Sequence, residues 1–236
     1  MDELYLRTQM LLGEEAVERL KRAHVLVLGL GGVGSFAVES LARAGVGALT
    51  LVDHDEVADS NRNRQLCALT STVGQRKADV LAARVCDINP ACRVRPIAEF
   101  YSAETSERLL DTDYDYIIDA IDSVTSKVHL IRTAHARGLR IISALGTGNK
   151  LDPSLFQIAD LSKTSVCPLA RVMRRELKAA GIVHHEVLFS TEPPRKPQPL
   201  ERPAEGRRSV PGSVSWVPPV AGMMLAGHVI RVISGV

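Results

Sequence analysis

Three glycines at G-x-G-x-x-G spacing, Gly29, Gly31 and Gly34, lie in the stretch VLVLGLGGVG (25–34), and Gly32 falls in the same turn. The residues before the turn are an apolar run, and those after it, Val33 to Ala44, have helical periodicity. A glycine turn between a strand and a helix lets bare backbone approach phosphate oxygens. The helix N-terminus beyond it adds unpaired N–H groups and the positive end of a dipole. Asp53 closes the next apolar run, nineteen residues after Gly34. A carboxylate there accepts hydrogen bonds from ribose hydroxyls. These features suit a dinucleotide and ATP equally.

The following stretch separates the two. Arg62, Arg64, Arg76 and Lys77 all lie within 24 residues of Asp53. A dinucleotide site has little use for them, because the helix end already serves its pyrophosphate. A triphosphate needs such neutralisation, above all as charge moves onto a leaving pyrophosphate. Asp119 and Asp122, at the end of a further apolar run, are oxygen donors of the kind Mg²⁺ takes. Asp119 or Ser123 is also placed to cap the helix that follows.

The elements that must position these residues alternate. Strands are expected at HVLVLG, GALTLVD, CRVRPIAEF, YDYIIDAID and LRIISAL. Helices are expected over 14–22, from Val33, from Lys77 up to Pro90, and from Ser123 to Gly138. Pro96 places the third strand at a sheet edge. Alternation of this kind predicts an α/β fold, a doubly wound and mostly parallel sheet, with its ligand edge at the strand C-termini. Residues 1–150 would form the nucleotide-binding domain and residues 151–236 a smaller extension. FQIADLS and HHEVLFST are expected strands in that extension, and PLARVMRRELKAAG a helix. Residues 193–211 hold six of the twelve prolines and read as a mobile loop by composition. The terminal apolar run is broken by Pro218, Pro219, His228 and Arg231, which favours a buried or interface helix over a membrane span.

Composition excludes several classes. The 236 residues are 45% apolar and 24% charged, with a net charge of +2, as for a soluble globular chain. No charged segment leads into an apolar one at the start, so a cytoplasmic protein is expected. Cys67, Cys86, Cys92 and Cys167 include no C-x-x-C pair, which argues against a zinc ribbon or a redox dithiol.

GLGGVG, LVDHDEV, SNRNRQ, VGQRK, INP and DAIDSV, in this order, resemble the E1-like adenylating enzymes. The resemblance implies that a carboxylate and ATP form an acyl-adenylate and pyrophosphate. It assigns Asp53 to the ribose, Asn61, Arg64, Gln65 and Lys77 to the nucleotide, and Asp122 to Mg²⁺. Arg7, in LRTQMLLG, matches an arginine that reaches the ATP of a partner subunit, which implies a homodimer. Catalytic roles would then fall to Arg7, Arg64, Lys77 and Asp122.

LRTQMLLGEEA, DAIDSVTSK, KTSVCPLAR, FSTEPP and GSVSWVPPVAG extend the resemblance to the branch acting on tRNA, the threonylcarbamoyladenosine dehydratases. Some members carry a sulfur-accepting cysteine before the FSTE motif. Here those positions are His185, Glu186, Val187 and Leu188, so a sulfur-relay partner is not expected. A tRNA substrate needs a cationic surface. Arg171, Arg174, Arg175 and Lys178 fall at i, i+3, i+4 and i+7, one face of a helix. His184 and His185 would face opposite ways on a strand. Activation of a ubiquitin-like carrier is the alternative within the family. An NAD-dependent oxidoreductase and a non-catalytic adaptor are the alternatives outside it.

Overall fold

A computed structural model describes residues 3–200 and 211–236. In chain order the main elements are α1 (Leu6–Leu12), α2 (Glu14–Arg22), β1 (His24–Leu28), α3 (Gly34–Ala44), β2 (Ala48–Val52) and α4 (Lys77–Ile88). There follow β3 (Arg93–Ile97), α5 (Ala103–Leu109), β4 (Tyr116–Asp119), α6 (Val124–Ala136) and β5 (Ile141–Ala144). The last part holds β6 (Phe156–Asp160), α7 (Pro168–Ala179), β7 (Glu186–Ser190) and α8 (Val217–Ser234).

One seven-stranded sheet runs in the order β3-β2-β1-β4-β5-β7-β6. All pairings are parallel except β6 with β7. β3 lies at one edge, so Pro96 withholds no donor from a central ladder. The chain leaves β1 toward β2 on one side and later takes β4 on the other. That reversal opens a crevice at the strand C-termini, where open α/β sheets bind ligands.

Period-two alternation divides the core. Val25 and Val27 of β1 join one apolar cluster with α2, α3, α4 and α8. Leu26 and Leu28 join the other with α5, α6 and α7. Helices on both faces explain why the central strands are buried throughout, as β2 is, rather than alternating with polar residues.

The terminal helix α8 belongs to this core. It is long and apolar enough to cross a membrane, yet half of it is buried within the protein. Its small residues permit close approach. A methyl on Gly222 would sit 2.2 Å from the Val33 carbonyl oxygen, and Pro218 abuts Gly32. α8 therefore props the glycine turn from behind. At the other end of the chain, buried Tyr5 donates to Asn89 at 2.9 Å and anchors the segment that carries α1. Neither α1 nor α5 follows from the sequence pattern; both are only seven residues long, too short for periodicity to declare itself.

Of the Pro-rich stretch, residues 193–200 and 211 are described and carry no helix or strand. Its remaining residues, 201–210, including Arg202, Arg207 and Arg208, lie outside the described residues.

Candidate functional site

The glycine turn is imposed by the backbone itself. Gly29 has φ +84, and a methyl on it would lie 2.6 Å from the Ala120 carbonyl oxygen. A methyl on Gly34 would lie 1.8 Å from the Gly29 carbonyl oxygen. Gly31 differs. Its nearest neighbour would be Gln65 Nε2 at 3.7 Å, so the space beside it is open to a ligand. α3 starts at Gly34 with no side chain capping it, and within its first turn Ser35 N donates to the Gly31 carbonyl at 3.1 Å.

A cavity of about 550 Å³ occupies the crevice, within the range of small-molecule sites. Gly29, Gly31, Gly32, Asp53, Asn61, Arg64, Gln65, Lys77 and Asp122 all line it. Lys77 and Asp122, far from the glycine turn in sequence, reach the same cavity because Lys77 opens α4 and Asp122 follows β4 there. Gly146, Thr147 and Gly148 after β5 form a further wall, with Leu169 and the Pro211–Ser213 segment. Of that wall, KTSVCPLAR and GSVSWVPPVAG already marked Leu169, Gly212 and Ser213, whereas no motif marked Gly146 to Gly148. A second cavity, of about 330 Å³, lies at the opposite ends of the strands among Tyr114, Asp115 and Arg140, remote from all these residues.

Asp53, Asn61, Arg64 and Lys77 are each held by the protein. Asp53 is buried and accepts from Leu30 N at 2.6 Å and Asp55 N at 2.8 Å, one on each oxygen. An ionised carboxylate offers about four lone-pair sites, so two remain for ribose hydroxyls. Lys77, buried at the start of α4, pairs with Asp55 at 2.8 Å. Arg64 donates to the Ser60 carbonyl at 3.0 Å and to Asn63 at 2.9 Å. Partial burial draws its pKa downward, yet a guanidinium remains charged throughout the physiological range. Asn61 accepts from Ala58 N at 3.1 Å.

The two acids after β4 have separate duties. Asp119 is fully buried, and its Oδ2 lies 2.8 Å from the equally buried Lys127 ammonium. The contact is an ion pair between two desolvated charges. Ser123 caps α6, accepting from Ser126 N. Asp122 is the one that lines the cavity. Its carboxylate chemistry and its place beside the phosphate turn fit a hard divalent cation. Asp53, His54 and Asp55 also bring ligand atoms within 4.8 Å of one another. There, Asp55 is paired with the Lys77 ammonium at 2.8 Å, a cation already in place beside the group. Lys127 was not expected from the sequence. Its signal was an ammonium in the buried stripe Lys127, Leu130, Ile131 and Ala134 of α6, a position that demands a counter-charge.

The chain matches the model of the ThiF family over residues 5–236. It belongs to that family. It is 46% identical to tRNA threonylcarbamoyladenosine dehydratase of Bacillus subtilis, across 95% of this chain and 92% of the relative. Identity with the enzyme of the same name from Escherichia coli is 37%, across 95% and 91%. The crystal structure of the E. coli dehydratase in complex with ATP superposes with a TM-score of 0.90 at 35% identity, covering 99% of this chain and 94% of that one.

Residues outside the cavity complete the account of this ThiF-family chain. Arg7 is exposed on α1 and does not line the cavity of its own chain. On α7, Arg171, Arg175 and Lys178 are exposed, and Arg175 pairs with Glu176 at 2.6 Å. Arg174 turns inward and donates to the Thr164 carbonyl at 2.9 Å and to its hydroxyl. The charged row of the sequence is therefore split. His184 is exposed against Asp160, whereas His185 is buried, 2.8 Å from Ser143 Oγ and 3.3 Å from His135. Burial, with the charges of His135 and Lys127, pushes the His185 pKa down to about 3. Cys67, Cys92 and Cys167 are buried, and burial lifts the Cys67 and Cys92 thiols to about 11.

Proposed function

We propose that this chain is an ATP-dependent tRNA threonylcarbamoyladenosine dehydratase. The observation that carries this is the convergence of the glycine turn, Asp53, Arg64, Lys77 and Asp122 on one cavity, in a chain so similar to enzymes of that name. The threonyl carboxylate oxygen attacks the α-phosphorus of ATP and pyrophosphate leaves. The neighbouring carbamoyl group then attacks the acyl-adenylate, closes the ring and releases AMP, which carries away the oxygen counted as lost water.

The chain's own groups do this by position and charge. The N–H groups at Gly31 and the start of α3 hold phosphate oxygens, and Asp53 holds the ribose. Arg64 and Lys77 stabilise charge as it moves onto pyrophosphate; Asn61 and Gln65 orient the phosphates. Asp122 would hold Mg²⁺, which supplies further neutralisation of the phosphates when bound.

Arg7 acts on the site of a second copy in a homodimer. In support, Met10 and Leu11 on the same short helix are 73% and 85% exposed, an apolar surface suited to burial against a partner. Arg171 and Lys178, with Arg175, meet tRNA phosphates, and a tRNA substrate places the protein in the cytoplasm.

Incubation with ATP, Mg²⁺ and threonylcarbamoyl-modified tRNA, followed by mass measurement of the nucleosides, tests the assignment. The modified adenosine should lose the mass of one water. AMP formation only with a Gly-Gly-ended carrier protein would overturn it.

A further inference from the structure

The turn from β4 into α6 carries Asp122, and one residue grips both of its ends. Lys127 Nζ lies 2.8 Å from Asp119 Oδ2 and 3.4 Å from the Asp119 carbonyl oxygen, where the turn begins. The backbone N–H of the same Lys127 donates to the Ser123 carbonyl at 2.9 Å, where the turn ends. Between these points, Asp119 Oδ1 accepts from Ile121 N at 3.1 Å, and Ala120 N donates to the Leu28 carbonyl at 2.8 Å. Ala120, Ile121 and Asp122 all line the nucleotide cavity, and Ala120 packs against Gly29 and Gly34.

Stability alone does not account for this arrangement. Lys127 is 1% exposed and Asp119 is fully buried. Desolvating two opposite charges costs about as much as their attraction returns, and apolar groups of similar volume commonly serve stability as well. The pair instead supplies a fixed electrostatic anchor. It lies at the start of the turn that carries Asp122, a carboxylate whose usefulness depends on its position.

We propose that Lys127 is a positioning residue for the reaction: through Asp119 its ammonium holds the Ala120–Asp122 turn so that Asp122 meets the metal–triphosphate. The proposal rests on the assignment of Asp122 to the metal given above. Lys127 touches neither substrate nor cation; it acts through the turn.

The test is equilibrium binding of a non-hydrolysable ATP analogue to the full-length protein, with and without Mg²⁺. Wild type should bind more tightly with Mg²⁺, and Asp122→Ala should lose that gain. Lys127→Met should lose about tenfold of it, the scale seen when support behind a metal ligand is removed. Its metal-free binding should stay as in wild type. The double variant Asp119→Asn, Lys127→Met has no unpaired buried charge and serves if Lys127→Met alone does not fold. It should retain the wild-type melting temperature and still lose the Mg²⁺-dependent gain. A full gain in either folded Lys127 variant, with the gain lost in Asp122→Ala, would overturn the positioning role alone. A full gain in Asp122→Ala would overturn the metal assignment and this proposal with it.

Discussion

Gly34 and Gly29 stand so close that a methyl on Gly34 would lie 1.8 Å from the Gly29 carbonyl oxygen, whereas one on Gly31 would meet nothing nearer than 3.7 Å. The same motif thus holds two kinds of glycine. Gly34→Ala must displace backbone and should destabilise the protein by several kcal/mol, on the order of 3. Gly31→Ala should melt within a few degrees of wild type but bind ATP at least about tenfold more weakly, since its methyl occupies space a phosphate needs. Calorimetric melting and nucleotide titration of both variants check this. Equal ATP affinity for Gly31→Ala and wild type would refute the contact.

Arg7 and Asp122 give a complementation test of the homodimer. Arg7→Ala and Asp122→Ala should each be inactive alone. If Arg7 serves the partner's site, mixing and re-equilibrating the two makes heterodimers with one intact site. Activity should then return to about a quarter of wild type for random pairing of equal amounts. No recovery, with dimers shown to exchange, would rule out action across subunits.

The split charged row on α7 predicts two separate phenotypes. Arg171→Ala with Lys178→Ala should leave melting unchanged, weaken tRNA binding and reduce its salt dependence by about two counterions. Arg174→Ala should instead lower stability by about 1–3 kcal/mol, because it strips the charged donor from buried Thr164. Filter binding at several salt concentrations and thermal melting distinguish them. Unchanged tRNA affinity at low salt for the double variant would remove α7 from the tRNA surface.

His185 predicts a pH dependence of stability. Its folded pKa, about 3, lies below that of an exposed histidine near 6.5, so the unfolded chain binds the proton first as pH falls. Its contribution is fully present above pH 6.5 and is lost as pH drops toward 3. Between pH 6.5 and 5, above the carboxylate range, the slope approaches about 1.4 kcal/mol per pH unit for this one proton. Burial lowers His135 and His24 too, and they add in the same direction. Denaturant unfolding should show a clearly shallower slope in His185→Gln than in wild type. Parallel slopes would mean that the imidazole is not buried as described.

Much of this protein was legible in the residues alone. Apolar periodicity located all seven strands and the longer helices, because buried strands and amphipathic helices impose repeats that a linear pattern retains. The glycine spacing, Asp53, Arg64 and Lys77 were legible because each follows closely on one strand end or opens a helix; Arg62 and Arg76, singled out with them, do not line the cavity, and Arg62 pairs with Asp59 at 3.2 Å. Tertiary structure decided what depends on proximity across the chain. It placed β7 between β5 and β6, and laid α8 against the glycine turn. It gave Asp119 to Lys127 while leaving Asp122 at the cavity, and turned Arg174 away from its helical neighbours toward Thr164. Spacing states which residues share a face of one element. Which charges are desolvated, and which partner neutralises each, is set only when separate elements pack, since burial and pairing are properties of the assembled core.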